Sequence, residues 1–287
     1  MINFYRFKYI YLAVSSFVIL AGLISILTFG FRLSIDFVGG TNLEYELTKD
    51  IDTDKARTIF KNNAADVLRI GVKNGVLLVR AKAIDEKKEA IIKSELTRTF
   101  STSIKVLKSE TVGPVLGRET MMKTLIASAI AVLGILIYMT FTFKSFNFAV
   151  AAIAALVHDF LVVIGSYSLL SRFFGAELDT MFVTAVLTAM SFSVHDTIVI
   201  FDKIREYRRT EGESNIIHLA NKALTETLVR SLNNSMTIIF MLLALTLLGG
   251  ETIRFFVLTL LIGTITGTYS SPFVATPVLI WLEKRKK

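Results

Sequence analysis

The sequence has no cysteine, which excludes disulfides, thiolate metal clusters and thiol chemistry. Proline is scarce too: three in 287 residues, so long helices meet few breakers. Polar surface is also in short supply. With 53% hydrophobic residues and a mean hydropathy of +0.58, the chain lacks what a soluble fold of this size needs to cover itself. The net charge of +8 does not point to nucleic acid, because Lys and Arg sit in short clusters beside apolar runs rather than on one soluble face. No metal or cofactor is expected, a metal or substrate site among the acids of residues 30–120 being the lesser alternative to a solvated face.

What the chain has instead is apolar length. Residues 9–29, 124–143, 146–170, 180–201, 228–248 and 252–282 form six runs, each able to cross a hydrocarbon core of about 30 Å. The first is too long for a signal-peptide core and lacks a small-residue cleavage pattern before Arg32, so it reads as a retained helix. The last contains Pro272 and Pro277, which predict a kink towards its end, and Gly263 and Gly267 in a GxxxG spacing that permits close helix approach. Basic residues fix an orientation, because Lys and Arg are retained on the cytoplasmic side. Arg6, Lys8, Lys144, Lys203, Arg205, Arg208, Arg209 and Lys284 to Lys287 all fall on one side, against Arg172 and Arg254 on the other. Both termini, residues 1–8 and 283–287, are therefore expected in the cytoplasm. Residues 202–227, basic and then amphipathic, are expected to form a loop lying at that interface, with His218 solvated.

Residues 30–120 differ in composition and fall on the outer side. Thr41, Leu43, Tyr45 and Leu47 alternate with Asn42, Glu44 and Glu46, the period of a half-buried strand. Helices over 52–65 and 85–100, the latter with Ile84, Ile91, Ile92, Leu96 and Phe100 inward, and strands over 66–73, 76–81 and 102–107 complete a βαββαβ order, with Asn74-Gly75 as a hairpin signal. That is the order of a ferredoxin-like α+β domain, predicted to be extracytoplasmic. Its acids Glu44, Glu46, Asp85, Glu86 and Glu89 read as a solvated face. The fold class expected is a membrane all-α six-helix bundle carrying this domain.

Two intramembrane pairs require a reason to exist. His158-Asp159 falls about 18 Å along the third run, and His195-Asp196 about 9 Å from the cytoplasmic end of the fourth. An Asp at a helix centre costs about 2.5–3.5 kcal/mol even on lenient insertion scales. Polar residues also serve as interhelical hydrogen-bonding partners, and both histidines are open to that reading. Asp196 differs because Arg230 opens the fifth run at a depth its side chain spans, so an Asp196–Arg230 pair is expected. A carboxylate whose counter-charge moves gains proton affinity, which is the physics of a proton relay. Ser191, Ser193, Thr197, Asn233, Asn234, Ser235 and Thr237 are polar neighbours available to such a path.

Four passages together carry a family resemblance over nearly the whole chain. Ser34-Ile35-Asp36-Phe37-Val38-Gly39-Gly40-Thr41 resembles the G-I-D-F-x-G-G-T signature of the SecD/SecF family, within the RND superfamily, and Val112-Gly113-Pro114-Val115-Leu116-Gly117 resembles its V-G-P-x-x-G. Val194-His195-Asp196-Thr197-Ile198-Val199-Ile200-Phe201-Asp202-Lys203-Ile204-Arg205-Glu206 resembles its N-D-T-x-V-x-x-D-R-I-R-E, and Gly267-Thr268-Tyr269-Ser270-Ser271 its G-T-Y-S-S. The resemblance implies a bacterial cytoplasmic-membrane chain that pairs with SecD, six helices each, and uses the proton motive force to assist late export of preproteins through the SecYEG channel, with no cofactor beyond the proton gradient. It also implies that Asp196 and Arg230 lie on the proton path, with Asp159, His195 and His158 as further candidates. Asp36, Phe37, Gly39, Gly40, Gly113 and Pro114 are its signature positions. Ser34 stands in place of the usual Gly, and His195 where Asn is commoner, which puts a titratable group beside Asp196. The alternative is half of a proton-driven RND exporter of lipids or small molecules; a membrane scaffold without transport is a third class. The outer segment is small for an exporter's porter domain, and a scaffold has no use for a buried ion pair.

Overall fold

A computed structural model describes residues 3–48, 51–73, 75–143, 145–212 and 215–285. From the N-terminus, a 3-10 turn Phe4–Phe7 leads into α1 (Lys8–Phe29), which Gly30 ends at a φ of 62°. A single helical turn, Ile35–Val38, precedes β1 (Gly40–Leu47), α2 (Thr53–Asn62), β2 (Val67–Lys73), β3 (Val76–Ala81), α3 (Glu86–Phe100) and β4 (Ile104–Val112). The helices α4 (Pro114–Phe143), α5 (Phe146–Phe174), α6 (Thr180–Thr210) and α7 (Ile216–Leu248) follow. The chain then runs through α8 (Glu251–Ser270), a π-helical turn Ser271–Ala275 and α9 (Thr276–Arg285). Two compact units result: one from Leu33–Ile126, the other from the chain on either side of it.

In the first unit the antiparallel sheet has the order β2-β3-β1-β4. Its central pairing runs from Thr41↔Ala81 to Glu46↔Val76, and β1 meets β4 from Gly40↔Val112 to Leu47↔Ile104 across an irregularity at Glu44/Tyr45. Thr41, Leu43, Tyr45 and Leu47 all point into the core, where Ile59, Phe60, Leu77, Val79, Ile92 and Leu96 complete it. Asp52 caps α2 by accepting from Asp54 N at 2.9 Å, and Asp85 caps α3 by accepting from Lys88 N at 2.7 Å. Two expectations fail here. Ile91 is exposed, because the inward stripe of α3 is Ile92 and Leu96, spaced i, i+4, and Ile91 lies a step of helical phase away. Glu89 is not merely solvated: its Oε1 accepts from Tyr45 Oη at 3.1 Å and its Oε2 from Ser109 Oγ at 2.7 Å, fastening helix to sheet. Gly75 has a φ of 76°, as a tight hairpin requires; its expected partner Asn74 lies outside the described residues.

The helices α1, α5, α6, α7 and the α8-to-α9 segment of the second unit, and α4, whose residues divide between the two units at Ile126, are long and apolar enough to cross a membrane. Their length and composition are those of a multi-pass membrane protein. Small residues set its packing. A Cβ on Gly22 would lie 2.9 Å from Gly165 Cα, so α1 and α5 touch backbone to backbone. The GxxxG face of α8 lies on α6, with Gly263 against Ala189 and Gly267 so near Ser193 that a Cβ would sit 2.9 Å from its Cβ.

The loop expected over 202–227 is mostly helix. α6 continues to Thr210 and α7 begins at Ile216, where Asn215 caps it by accepting from Ile217 N at 3.0 Å. Hydropathy misses this because polar faces hold the helices: Asp202 with Arg205 at 3.2 Å, and Lys203 with Glu226 at 2.9 Å across the turn. The amphipathic face does not lie on a membrane surface, since Leu219, Ala220, Ala223 and Leu224 are buried in the core with Ile204. Likewise α4 starts at Pro114 rather than Thr124, proline filling the first helical position and Glu119–Lys123 pairing at 2.7 Å one turn apart. At the other end Pro272, which has no N–H to donate, falls in the π-helical turn.

Candidate functional site

The two His-Asp pairs lie on α5 and α6, and the structure treats them differently. Asp159 is 3% exposed and holds partners from three helices. Its Oδ1 lies 2.8 Å from Nδ1 of His158 on its own helix. Its Oδ2 accepts from Ser193 Oγ on α6 and, at 2.6 Å, from Ser270 Oγ at the end of α8. These two hydroxyls converge on one oxygen because Gly267 lets α8 lie against Ser193. Next to them Ser271, the first residue of the π-helical turn, shares a hydrogen bond of 2.8 Å with Thr197, and Thr197 donates to Ser193 O at 3.2 Å. An aspartate at this depth is therefore matched with donors, the condition under which a buried carboxylate is tolerated. His158 Nε2 is buried without a hydrogen-bond partner, and the ring faces Tyr269 with centroids 6.2 Å apart.

Asp196 is 7% exposed and sparsely bonded: Ser235 Oγ on α7 donates to its Oδ2 at 3.4 Å, and Ser231 lies beside it one turn earlier. Arg230 does not meet it. Ser231 and Ser235 form the stripe of α7 facing α6, and Arg230, about 100° around the helix from Ser231, points out and is exposed. The expected Asp196–Arg230 contact is thus absent among the described residues. Arg230 shares an exposed face with Asn233, Asn234 and Thr237, and His195 and Ser191 are exposed on α6. Beside this face is a cavity of about 20 Å³ between α6, α7 and α8, lined by Asp196, His195, Asn234, Ser235, Thr264 and Ser193 among others.

The structure therefore joins Asp159, His158, Ser193 and Thr197 in one network, gives Asp196 to Ser235 and leaves Arg230 and His195 outward. Ser270, Ser271 and Thr264 carry polar contacts or line the cavity, and sequence reasoning gave them no role. Ser270 and Ser271 were visible only as members of the Gly267-to-Ser271 signature, and Thr264 only as a hydroxyl three residues from Gly267.

The signature positions gather in the other unit, as packing. Gly39 has a φ of 75°, and a Cβ there would lie 2.7 Å from Pro114 Cα. Gly40, at a φ of 138°, would put one 2.8 Å from Ala81 O. Phe37 is buried, Asp36 opens the short turn, and Gly113 has open space around it. Ser34, where the family pattern has Gly, has an extended backbone, at φ −74° and ψ 169°, and its Oγ accepts from Asp36 N at 3.2 Å.

Comparison with known proteins is consistent across methods. Residues 91–285 match the family model for the protein export membrane protein SecD/SecF, C-terminal, and residues 24–51 the SecD/SecF GG motif. The protein translocase subunit SecF of Thermobaculum terrenum is 40% identical, over 99% of this chain and 95% of its own length. The protein translocase subunit SecDF of Bacillus subtilis is 32% identical over 93% of this chain, which matches 36% of that longer protein. The crystal structure of SecDF, a translocon-associated membrane protein, from Thermus thermophilus superposes with a TM-score of 0.85 at 28% identity, covering 99% of this chain and 39% of that one. This chain belongs to the SecD/SecF family of protein export membrane proteins, as an accessory subunit of Sec translocation.

Proposed function

We propose that this chain is the SecF-like half of a SecDF-type complex: it pairs with SecD in the bacterial cytoplasmic membrane and uses the proton motive force to assist late passage of preproteins through SecYEG. Both termini lie in the cytoplasm, and the βαββαβ unit is a ferredoxin-like domain on the far side, where it meets the preprotein. Membrane lipids surround the remaining faces.

The observation that carries this reading is the polar face of α6 and α7. Arg230, Asn233, Asn234, Thr237 and His195 are exposed on helices otherwise apolar enough to span a bilayer. An arginine turned towards lipid inside an apolar span carries a desolvation cost, lowest near the span's end, where the side chain can reach the interface. A face of this kind suits a second polar helix surface, and Asp196 lies just behind it. Arg230 is then free to bind a carboxylate of the partner half in one state and Asp196 in another, and protonation of Asp196 follows the exchange.

The test is export into inverted membrane vesicles containing the complete complex. Asp196→Asn and Arg230→Ala are each expected to abolish the proton-driven stimulation of export while chain levels and co-purification with SecD persist. Full stimulation in both variants would end the relay assignment. Orientation has its own check: reporters fused after Lys49 and after Arg209 are expected on opposite sides of the membrane.

A further inference from the structure

Two polar clusters, one around Asp159 and one around Asp196, share a side chain. Ser193 donates its hydroxyl to Asp159 and also lines the cavity that contains Asp196. The two residues sit three apart on α6, hence on one face of that helix. The same cavity is bounded by Thr264 of α8, whose Oγ1 is buried and has no hydrogen-bond partner; the residue is 4% exposed. Buried hydroxyls in native interiors are bonded, to protein or to ordered water, and a cavity must offer about 10–15 Å³ and two to four polar partners to hold one water. At about 20 Å³, lined by Asp196, Thr264, Ser193 and Thr268, the cavity meets both conditions for one water.

We propose that the Asp196 cavity and the Asp159 cluster are a single proton-transfer unit, bridged by one water that Thr264 positions and by the hydroxyl of Ser193. This rests on the proton-coupled reading above and deepens it by adding a second acceptor. The transfer balances without any co-reactant. A proton on the Asp196 carboxyl passes to the water, the water gives one of its own to Ser193 Oγ, and the Ser193 proton moves to Asp159 Oδ2. Water and serine end neutral and reoriented, and one proton has crossed from the α7 side of α6 to the α5 side. Two further titratable groups line the route on the Asp159 side, His158 on Oδ1 and Tyr269 facing its ring; on the Asp196 side there is His195. Thr264 is thus a positioning residue, and Asp159 receives the proton rather than serving only as interhelical glue.

The experiment is infrared difference spectroscopy on acidification of the full-length chain with its SecD partner in liposomes, the Asp159 carboxyl band being assigned with Asp159→Asn. The linked unit predicts that Asp196→Asn displaces the pH midpoint of the Asp159 band by about one pH unit or more. In Ser193→Ala and Thr264→Val, both near-isosteric, that displacement is expected to fall at least by about half, and Thr264→Ser, which restores the hydroxyl, to recover it. An Asp159 band that does not titrate, or a displacement unchanged in both hydroxyl deletions, overturns the proposal. Export assayed on the same samples separates the two claims. If Asp196→Asn abolishes proton-driven stimulation while Asp159 shows no coupling, only the linked unit fails; if stimulation survives Asp196→Asn, the proton reading itself fails.

Discussion

A single carboxylate illustrates how much a membrane interior asks of one residue. Asp159 accepts from Ser193 and Ser270 and pairs with His158 Nδ1, so replacing it with alanine takes a partner from three buried groups at once. Breaking a buried charged network costs about 3–5 kcal/mol, whereas asparagine keeps one acceptor oxygen and loses less. Thermal unfolding in detergent is expected to rank wild type above Asp159→Asn and that variant above Asp159→Ala; equal midpoints for the two variants would contradict the network. Tyr45 gives the matching case outside the membrane-spanning helices. It is fully buried and donates to Glu89, and its phenol is held above the ordinary value of 10.0, first by burial and then by the Glu89 charge and hydrogen bond. A phenol whose folded value is raised stabilises the fold fully below its unfolded value and loses that contribution as pH climbs through the interval above 10.0. Chemical unfolding of the full-length chain between about pH 8 and about pH 11 is expected to show this loss, and Tyr45→Phe to flatten it.

At the scale of elements, glycine divides by position rather than by frequency. Gly39 sits at a positive φ against Pro114, so Gly39→Ala combines left-handed strain with a steric clash and is expected to destabilise by about 2 kcal/mol or more. Gly113, with nothing near its missing Cβ, is expected to accept alanine at near-zero cost; a reversed order in urea unfolding would refute the packing account of the signature. Such contrasts also mark what was legible in the sequence. The alternation from Thr41 to Leu47 named the buried face of β1, because strand period and burial are the same fact seen twice. The GxxxG pair named the face of α8 that lies on α6. The stretch over 202–227 was misread because ion pairs such as Asp202–Arg205 sustain a helix where hydropathy sees only polarity. Arg230 was misread through helical phase: depth along an axis puts it level with Asp196, but rotation puts Ser231 and Ser235 there instead. Ser270 lay beyond reach for a simpler reason, being 111 positions from the aspartate it serves.

For the whole molecule, the decisive feature is a bundle with a well-packed interior and one polar flank. The interior is built from small residues on α5, among them Ala151, Ala152 and Ala155, and from the close α6–α8 seam. The flank of Arg230, Asn233, Asn234 and Thr237 is different, since nothing in the described chain covers it. If it is built for a second helical half, then making it apolar has opposite effects on two measurements. Replacing Arg230 and Asn233 together with leucine removes polar groups that the isolated chain turns towards lipid, so its yield and thermal midpoint without a partner are expected to rise. The same change removes the groups that a polar partner surface must match, so recovery of SecD on co-purification from native membranes is expected to fall severalfold. Unimpaired recovery from the leucine variant would place the partner elsewhere on the bundle, and a drop in both measurements would mean that the flank stabilises the isolated chain rather than the assembled one.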